Sequence, residues 1–342
     1  MTTVLVTGAT GFVGSHALEA LGRRPELKVV AACRDPDRLP ASFTGEIRAG
    51  DLRDAAYRNR LLDGIDVVCH CAAWTSLFGQ GHRSRDLFLE PSLALLDAAV
   101  AKGISRFVNV STTSAAAPNR SADPMSRGIP RPFWPHLVSV VAVEDTLRQR
   151  AGGKTAMINL RFGIFAGRRY ALGILPILVP RLKTHLVPWV AGGRTSLPIT
   201  AGEDIGEAMA LAATAPGLSG YESFNVVGPE TPTVRQVIQF LHEEYGLPLP
   251  HFSVPFSLAY PFAWLMEKLD PVLPWEPLIA RSVVHLLEEV KADNSRAGKR
   301  LNYRPKVGWR EAIKAQMAEM AEKGTPPMRM HRALPAESPL QE

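Results

Sequence analysis

The first 21 residues set out a strand, a glycine turn and a helix in that order, and this order constrains the rest of the chain. Val4, Leu5 and Val6 form an apolar, β-branched-rich run, the composition of a strand buried on both faces of a parallel sheet. Gly8, Gly11 and Gly14 follow at a spacing of three, with Thr10, Phe12 and Val13 between them. Phe12, Val13, Ala17, Leu18 and Leu21 then repeat at helical spacing. The free N–H groups of the helix start and the positive end of its dipole would point at one spot, which makes an anion site. Gly8 permits a tight turn, Gly11 lets a pyrophosphate approach the backbone, and Gly14 lets the helix pack closely. Three glycines alone say little; directly after a strand and opening a helix, they point to a dinucleotide.

The next apolar run, Lys28 to Cys33, reads as a second strand and ends in Cys33-Arg34-Asp35-Pro36. An acid at such a strand end takes a ribose 2′-hydroxyl, whereas an arginine nearby accommodates a 2′-phosphate. The end residue is Cys33, and Arg34 and Arg38 follow it. The expected cofactor is therefore NADP(H) rather than NAD(H), with Asp35 turned aside by Pro36. Strands at Glu46–Ala49, Asp66–Cys71 and Arg106–Val110 alternate with helices at Asp54–Leu62 and Arg85–Ala101. That alternation predicts an α/β protein with a doubly wound parallel sheet and ligands at the carboxyl ends of its strands.

These stretches together resemble the extended short-chain dehydrogenase/reductase family, whose members include NAD-dependent epimerases and dehydratases. The resemblance is carried by Thr7-Gly-Ala-Thr-Gly-Phe-Val-Gly14, the Arg34-Asp35-Pro36 turn, Gly50-Asp51-Leu52, His70-Cys-Ala-Ala73 and Ser111-Thr112-Thr113. Leu160-Arg-Phe-Gly-Ile-Phe-Ala-Gly167, Pro198 to Ala208 and Ala292 to Pro305 extend it to about residue 320. The Arg-Asp-Pro turn is most similar to the dihydroflavonol reductase and 3β-hydroxysteroid dehydrogenase branch. The resemblance implies a Rossmann-type sheet with a smaller, mostly helical C-terminal substrate domain. It also implies that Asp51 and Leu52 meet the adenine, that Ala72 and Ala73 lie on the ribose side, and that Phe162 lies at the cofactor.

One motif of the family is missing. Its members carry Tyr-x-x-x-Lys at the start of the helix after the fifth strand, the tyrosine handling the proton and the lysine lowering its pKa. Here that helix reads Pro135-His-Leu-Val-Ser-Val140, which puts His136 at the tyrosine position and Val140 at the lysine position; there is no tyrosine between Tyr57 and Tyr170. The serine/threonine partner is matched by Thr113. A protonated imidazole at His136 would act as an acid without a lysine beside it, since histidine titrates near neutrality; a bystander at a helix start is the equally weighted reading. The chain is thus expected to be a reductase or dehydrogenase with a non-standard proton donor. An NADP(H)-binding sensor or scaffold, and a nucleotide-sugar epimerase or dehydratase, are the alternatives.

The strand–helix alternation breaks near Tyr170. Residues 1–167 are expected to form the nucleotide domain, with some later segments returning to it. Residues 168–322 form the substrate domain and 323–342 a loose tail. Helices are predicted at Glu203–Ala213, Thr233–Tyr245, Leu278–Val290 and Trp309–Glu322. The basic residues Arg168, Arg169, Arg181, Lys183, His185 and Arg194 would either grip an anionic group or form a solvated rim. The aromatic residues between Phe252 and Trp275 are expected mainly in packing between domains, with an apolar pocket or a membrane surface as alternatives. The 342 residues carry a formal charge of +6, which favours acidic small ligands. With no basic stripe interleaved with aromatics, nucleic acid is not an expected partner. A hydrophobic or anionic small molecule is the expected substrate, and a homodimer is left open. Cys33, Cys69 and Cys71 show no metal-ligand spacing and read as buried thiols. With neither a signal peptide nor a spanning segment in view, a cytoplasmic protein is expected.

Overall fold

The computed structural model describes residues 1–118, 121–170, 173–270, 272 and 277–323. In chain order it runs β1 (Thr2–Thr7), α1 (Phe12–Gly22), β2 (Leu27–Cys33), β3 (Glu46–Ala49), α2 (Ala55–Leu61), β4 (Val67–His70), α3 (Gly81–Ser84), α4 (Glu90–Ala101), β5 (Arg106–Thr112), α5 (Pro135–Arg150), β6 (Ala156–Phe162), β7 (Ile164–Ala166) and α6 (Ile174–Leu182). It continues with β8 (Trp189–Val190), β9 (Ile199–Ala201), α7 (Gly202–Thr214), β10 (Tyr221–Val226), α8 (Val234–Tyr245), β11 (Ser253–Val254), α9 (Phe256–Leu269), α10 (Arg281–Leu286), α11 (Ser295–Arg300) and α12 (Trp309–Lys323).

Seven strands form one sheet in the order β10-β6-β5-β4-β1-β2-β3, every neighbouring pair parallel. The chain moves outward from β1 in one direction and then, at β4, in the other, so the strand order reverses between β1 and β4. A crevice for a ligand opens at such a reversal, at the strands' carboxyl ends. Side-chain alternation sends neighbours to opposite faces. Val4, Val6, Cys69 and Ile158 pack under α1 and α7, while Leu5, Val68 and Met157 pack under α2, α4 and α5. The doubly wound sheet expected from the strand–helix alternation is therefore present.

A separate core lies under the remaining elements. Leu175 and Val179 of α6, Trp189, Ile199, Val237 and Leu241 of α8, and Trp309 and Ile313 of α12 share it. Helix α8 starts at a full capping box: Thr233 accepts from the Gln236 amide, and Gln236 reaches back to the Thr233 amide at 2.8 Å. Although they lie late in the chain, α7, β10 and α11 pack with the central sheet.

Three sequence expectations differ from the structure. The helix expected over Arg85–Ala101 is present but starts earlier, at Gly81, and Arg85–Leu89 within it is wound as a wider π-turn that runs on into α4. Pro91 has no N–H to donate backward, which loosens the turn before it. The helix expected over Leu278–Val290 shrinks to Arg281–Leu286 because the following residues have other partners. Glu289 accepts from the Ser196 amide at 2.9 Å and from its hydroxyl at 2.8 Å, and the Ser196 hydroxyl donates to the Val290 carbonyl at 2.7 Å. The packing expected for the 252–275 aromatics fails for Phe252, Phe262 and Trp264, which are exposed. Trp275 and the tail beyond Lys323 lie outside the described residues.

Candidate nucleotide site

The end of β1 and the end of β4 meet at Gly8 and Ala72. Gly8 has φ +59°, in the left-handed region, and a Cβ built there would come within 2.6 Å of the Ala72 Cα. Only glycine fits this turn without moving both strand ends. A Cβ on Gly14 would come within 2.8 Å of the Gly8 carbonyl carbon and 2.9 Å of the Ala9 Cα. Gly14 thus lets α1 start against the turn itself rather than against the body of the sheet. Gly11 is the N-cap of α1, in extended conformation, and accepts from the Ser15 amide at 2.9 Å. No side chain caps this helix and no acid lies in its first turn. Its leading N–H groups are therefore available to an anion at the sheet's reversal point.

A hydrogen-bonded relay fixes the floor beneath the turn. The Ser92 hydroxyl donates to the Phe88 carbonyl at 2.6 Å, leaving its oxygen to accept from His70 Nε2 at 2.9 Å. His70 Nδ1 then accepts from the Thr7 hydroxyl at 2.8 Å. The Thr7 oxygen in turn accepts from the Cys71 and Ala72 amides at 3.2 and 3.3 Å. The relay requires a neutral His70, and burial agrees, pushing its pKa down to about 4. Ala72 is therefore held by Thr7, and Ala73 beside it is exposed.

Over the turn, Phe12 packs on Phe165 (5.5 Å between ring centroids) and Tyr170 (4.6 Å). Thr10 and Phe12 are half-buried and Val13 is buried. Phe162 is fully buried inside the first core, on a strand that carries its side chain away from solvent. Behind α1, His16 fills the space that glycine leaves at positions 202 and 206 of α7, where a Cβ would strike its ring or backbone. Burial and the neighbouring Arg169 guanidinium push the His16 pKa down to about 4.

At the end of β2, Arg34 and Arg38 are exposed. Asp35 is also exposed and caps the short turn that follows, its carboxylate accepting from the Asp37 amide at 3.3 Å. Asp51 holds Arg53 by its amide at 2.8 Å and its Nη2 at 2.7 Å. Burial would raise the Asp51 pKa, but these bonds and the positive charges of Arg53 and Arg34 outweigh it and hold the carboxyl below its usual range. Leu52 beside it is half-buried.

The far end of the crevice is different. Thr113 is 3% exposed at the start of a 3-10 turn after β5, and its hydroxyl has no hydrogen bond among the described residues. His136 sits in the first turn of α5, against Phe88 (5.3 Å) and Trp134 (6.4 Å). Burial pushes its pKa down to about 4, against a smaller opposite effect of a hydrogen bond to the Trp74 backbone. Its Nδ1 is buried without a partner. The protonated acid expected from the sequence is thus corrected to a neutral imidazole. No hydrogen bond joins His136 to Thr113 among the described residues. Val140, one turn later, is 4% exposed in the second core.

Two turns after His136, Glu144 anchors a buried network that sequence reading missed. Its Oε1 accepts from Ser111 Oγ at 2.5 Å, Asn159 Nδ2 at 2.9 Å and Arg161 Nε at 2.8 Å; its Oε2 accepts from Arg161 Nη2 at 2.5 Å. Asn159 also receives Asn109 Nδ2 at 2.9 Å and donates to Ser223 Oγ at 3.1 Å. The signal was present as polar residues at alternate positions of buried strands: Asn109 and Ser111, Asn159 and Arg161, Ser223 and Asn225. The basic group around Arg168 does not converge. Arg168 pairs with Glu322, Arg169 with Glu19, and Arg181 binds the backbone carbonyls of Ile177, Pro277 and Leu278.

The chain is similar to known proteins. The model of the NAD dependent epimerase/dehydratase family matches residues 4–227. The Escherichia coli (strain K12) protein YbjS, described as uncharacterized, is 26% identical over 345 residues, covering 95% of this chain and 99% of its own. Sinorhizobium fredii y4nG, also described as uncharacterized, is 26% identical over 318 residues, covering 89% of this chain and 75% of its own. Among solved structures, MoeE5 in complex with UDP-glucuronic acid and NAD superposes with a TM-score of 0.69 at 23% identity, covering 94% of this chain and 99% of that one. Bacillus cereus UDP-glucuronic acid 4-epimerase in complex with NAD gives 0.69 at 20% identity, with the same coverage.

Proposed function

The chain belongs to the NAD dependent epimerase/dehydratase family, and on that premise we propose that it binds NADP(H) and interconverts a carbonyl and a hydroxyl on a small molecule. The observation that carries the reading is the corner formed by Gly8, Gly11 and the uncapped start of α1, set beside Ala72 where the strand order reverses. Side chains are excluded there, and free N–H groups and a helix dipole remain, which suits a diphosphate. Gly8, Thr10, Gly11, Phe12, Val13 and Gly14 would line the diphosphate, and Asp51, Leu52, Ala72 and Ala73 the adenosine side. Arg34 and Arg38 would meet the 2′-phosphate, with no competing acid because Asp35 is turned into its own cap. Phe162 would act from beneath, packing the strand that carries this wall rather than touching the ligand.

The bound nicotinamide would supply or accept a hydride; the chain would supply the proton handling. The unpaired Thr113 hydroxyl would hold the substrate oxygen. His136 would act only where its ring turns a nitrogen into the crevice, since Nδ1 is sealed from solvent; as a neutral ring its part would be to accept a proton rather than deliver one. The test is turnover at the nicotinamide absorbance with hydrophobic ketones, aldehydes and their alcohols, and with UDP-sugars of the kind bound by the structural neighbours. Removing a general acid–base group costs typically ~10²–10⁴-fold. His136→Ala and Thr113→Val should each slow turnover by about that factor. Rates equal to wild type in both would remove the two residues from the reaction.

A second reading is a nucleotide-binding protein without turnover. It is favoured by Val140, whose buried side chain puts no charge where the family's lysine stands. It predicts saturable NADPH binding with no consumption on any of these substrates.

A further inference from the structure

Helix α9 carries large apolar side chains on its outward face. Leu258 is 61% exposed, Phe262 45%, Trp264 47% and Leu265 44%. At about 100° per residue, Leu258, Phe262 and Leu265 share one stripe, with the exposed Pro261 and Trp264 along its edge. The opposite face holds the helix down: Ala259 and Ala263 pack with Val190 and Val284. Glu267 also turns inward, pairing with Arg281 at 2.7 Å. Ser257 and Lys268 are the exposed polar residues of the helix.

The apolar surface extends beyond α9. Phe252 is 51% exposed just before it, and Leu186 is 59% exposed in the adjoining turn. The two segments touch through His185 and His251, stacked at 5.8 Å with 9° between the rings. Lys183 and Lys268 are exposed in the two segments; of the acids, Glu267 is already paired and Asp270, at the end of the helix, is half-buried. Isolated surface apolar residues need no explanation, but a contiguous patch with a polar rim marks an interaction site.

The size and chemistry of the patch choose between occupants. A helix of 14 residues is about 21 Å long and ~10 Å across, a footprint of about 200 Å². A stable protein interface needs about 800 Å² on each partner, so α9 with the two further side chains is a small seat for a second copy. Phenylalanine and tryptophan suit the headgroup level of a bilayer, and flanking lysines suit anionic lipid. We propose that α9 docks on an anionic membrane surface, with Leu258, Phe262, Trp264 and Leu265 entering the interface and Lys183 and Lys268 meeting headgroups. The inward side of the same layer reaches the candidate site: Tyr260 of α9 hydrogen-bonds Glu288, Glu288 binds His285 Nδ1 at 2.7 Å, and His285 Nε2 donates to the Ser114 carbonyl at 3.1 Å, next to Thr113.

The test is flotation of the full-length protein with phosphatidylcholine vesicles, with and without phosphatidylglycerol. Wild type should float with the anionic vesicles, remain behind with the neutral ones, and come off at high salt. The double variant Phe262→Ser, Leu265→Ser should lose flotation while keeping its thermal unfolding midpoint. Lys183→Glu with Lys268→Glu should weaken binding by at least about tenfold, at roughly 1 kcal/mol per lysine. Three results would overturn the proposal: no flotation of wild type with anionic vesicles, unchanged flotation of the serine variant, or a dimer in sedimentation that the serine variant dissolves, which would give the face to a second copy.

Discussion

The two ends of the crevice are built from different materials. At the glycine corner the working parts are backbone amides and a helix terminus, and the sequence encodes them by leaving side chains out. At the start of α5 the working parts would have to be side chains, and there the chain presents a neutral histidine and a buried valine. Backbone-built sites tolerate sequence change as long as the turn survives, whereas side-chain-built sites change with each residue. On the proposed reading, the glycine corner suits a dinucleotide, while His136 and Val140 stand where the resemblance expects a tyrosine and a lysine.

The largest effect should come from the anchor that fixes the side-chain end. Glu144→Ala leaves Arg161 buried without its carboxylate, and breaking such a pair costs about 3–5 kcal/mol. Urea unfolding should show that loss; a loss below about 1 kcal/mol would mean the network does not hold α5. At the backbone end, Gly8→Val should weaken NADPH binding at least ~100-fold, about 2.7 kcal/mol, because its Cβ collides with Ala72. A folded variant that binds like wild type would erase the contrast between the two ends.

Acid should act on both ends through three imidazoles, His16 and His70 buried and His136 half-buried. His16, His70 and His136 each fall to about 4, below the unfolded value of about 6.5. A depressed histidine pKa means that stability is intact above about 6.5 and is lost as the pH falls from there toward 4, because the unfolded chain takes up protons first. At ~1.4 kcal/mol per unit, the loss between pH 6.5 and 4.5 should be of the order of 1–2 kcal/mol for each ring, read from urea midpoints of the single His→Gln variants against wild type. A flat profile across that window would mean the three rings are not held neutral. The smallest effect concerns cofactor choice. Arg34→Ala should weaken NADPH about tenfold, ~1.4 kcal/mol, and leave NADH nearly unchanged; equal losses for both would remove Arg34 from phosphate recognition.

The same contrast explains what could be read from the sequence. Strand–helix alternation and the Gly8-Gly11-Gly14 spacing showed the sheet and the corner, because they depend on local periodicity and on backbone freedom. The relay from Thr7 through His70 to Ser92 was not visible, since its members lie 63 and 22 residues apart and meet only after strands align. His136 was found by its spacing, but its protonation was misread, because burial against Phe88 and Trp134 is a tertiary property. The π-turn leading into α4 and the shortened α10 were missed for related reasons. Pro91 acts on the turn before it, and Glu289 takes its partner from Ser196, 93 residues away.

The most direct test is calorimetric titration of the purified protein with NADPH and with NADH. The account predicts saturable binding at one site per chain, tighter for NADPH. No measurable binding of either nucleotide would contradict it.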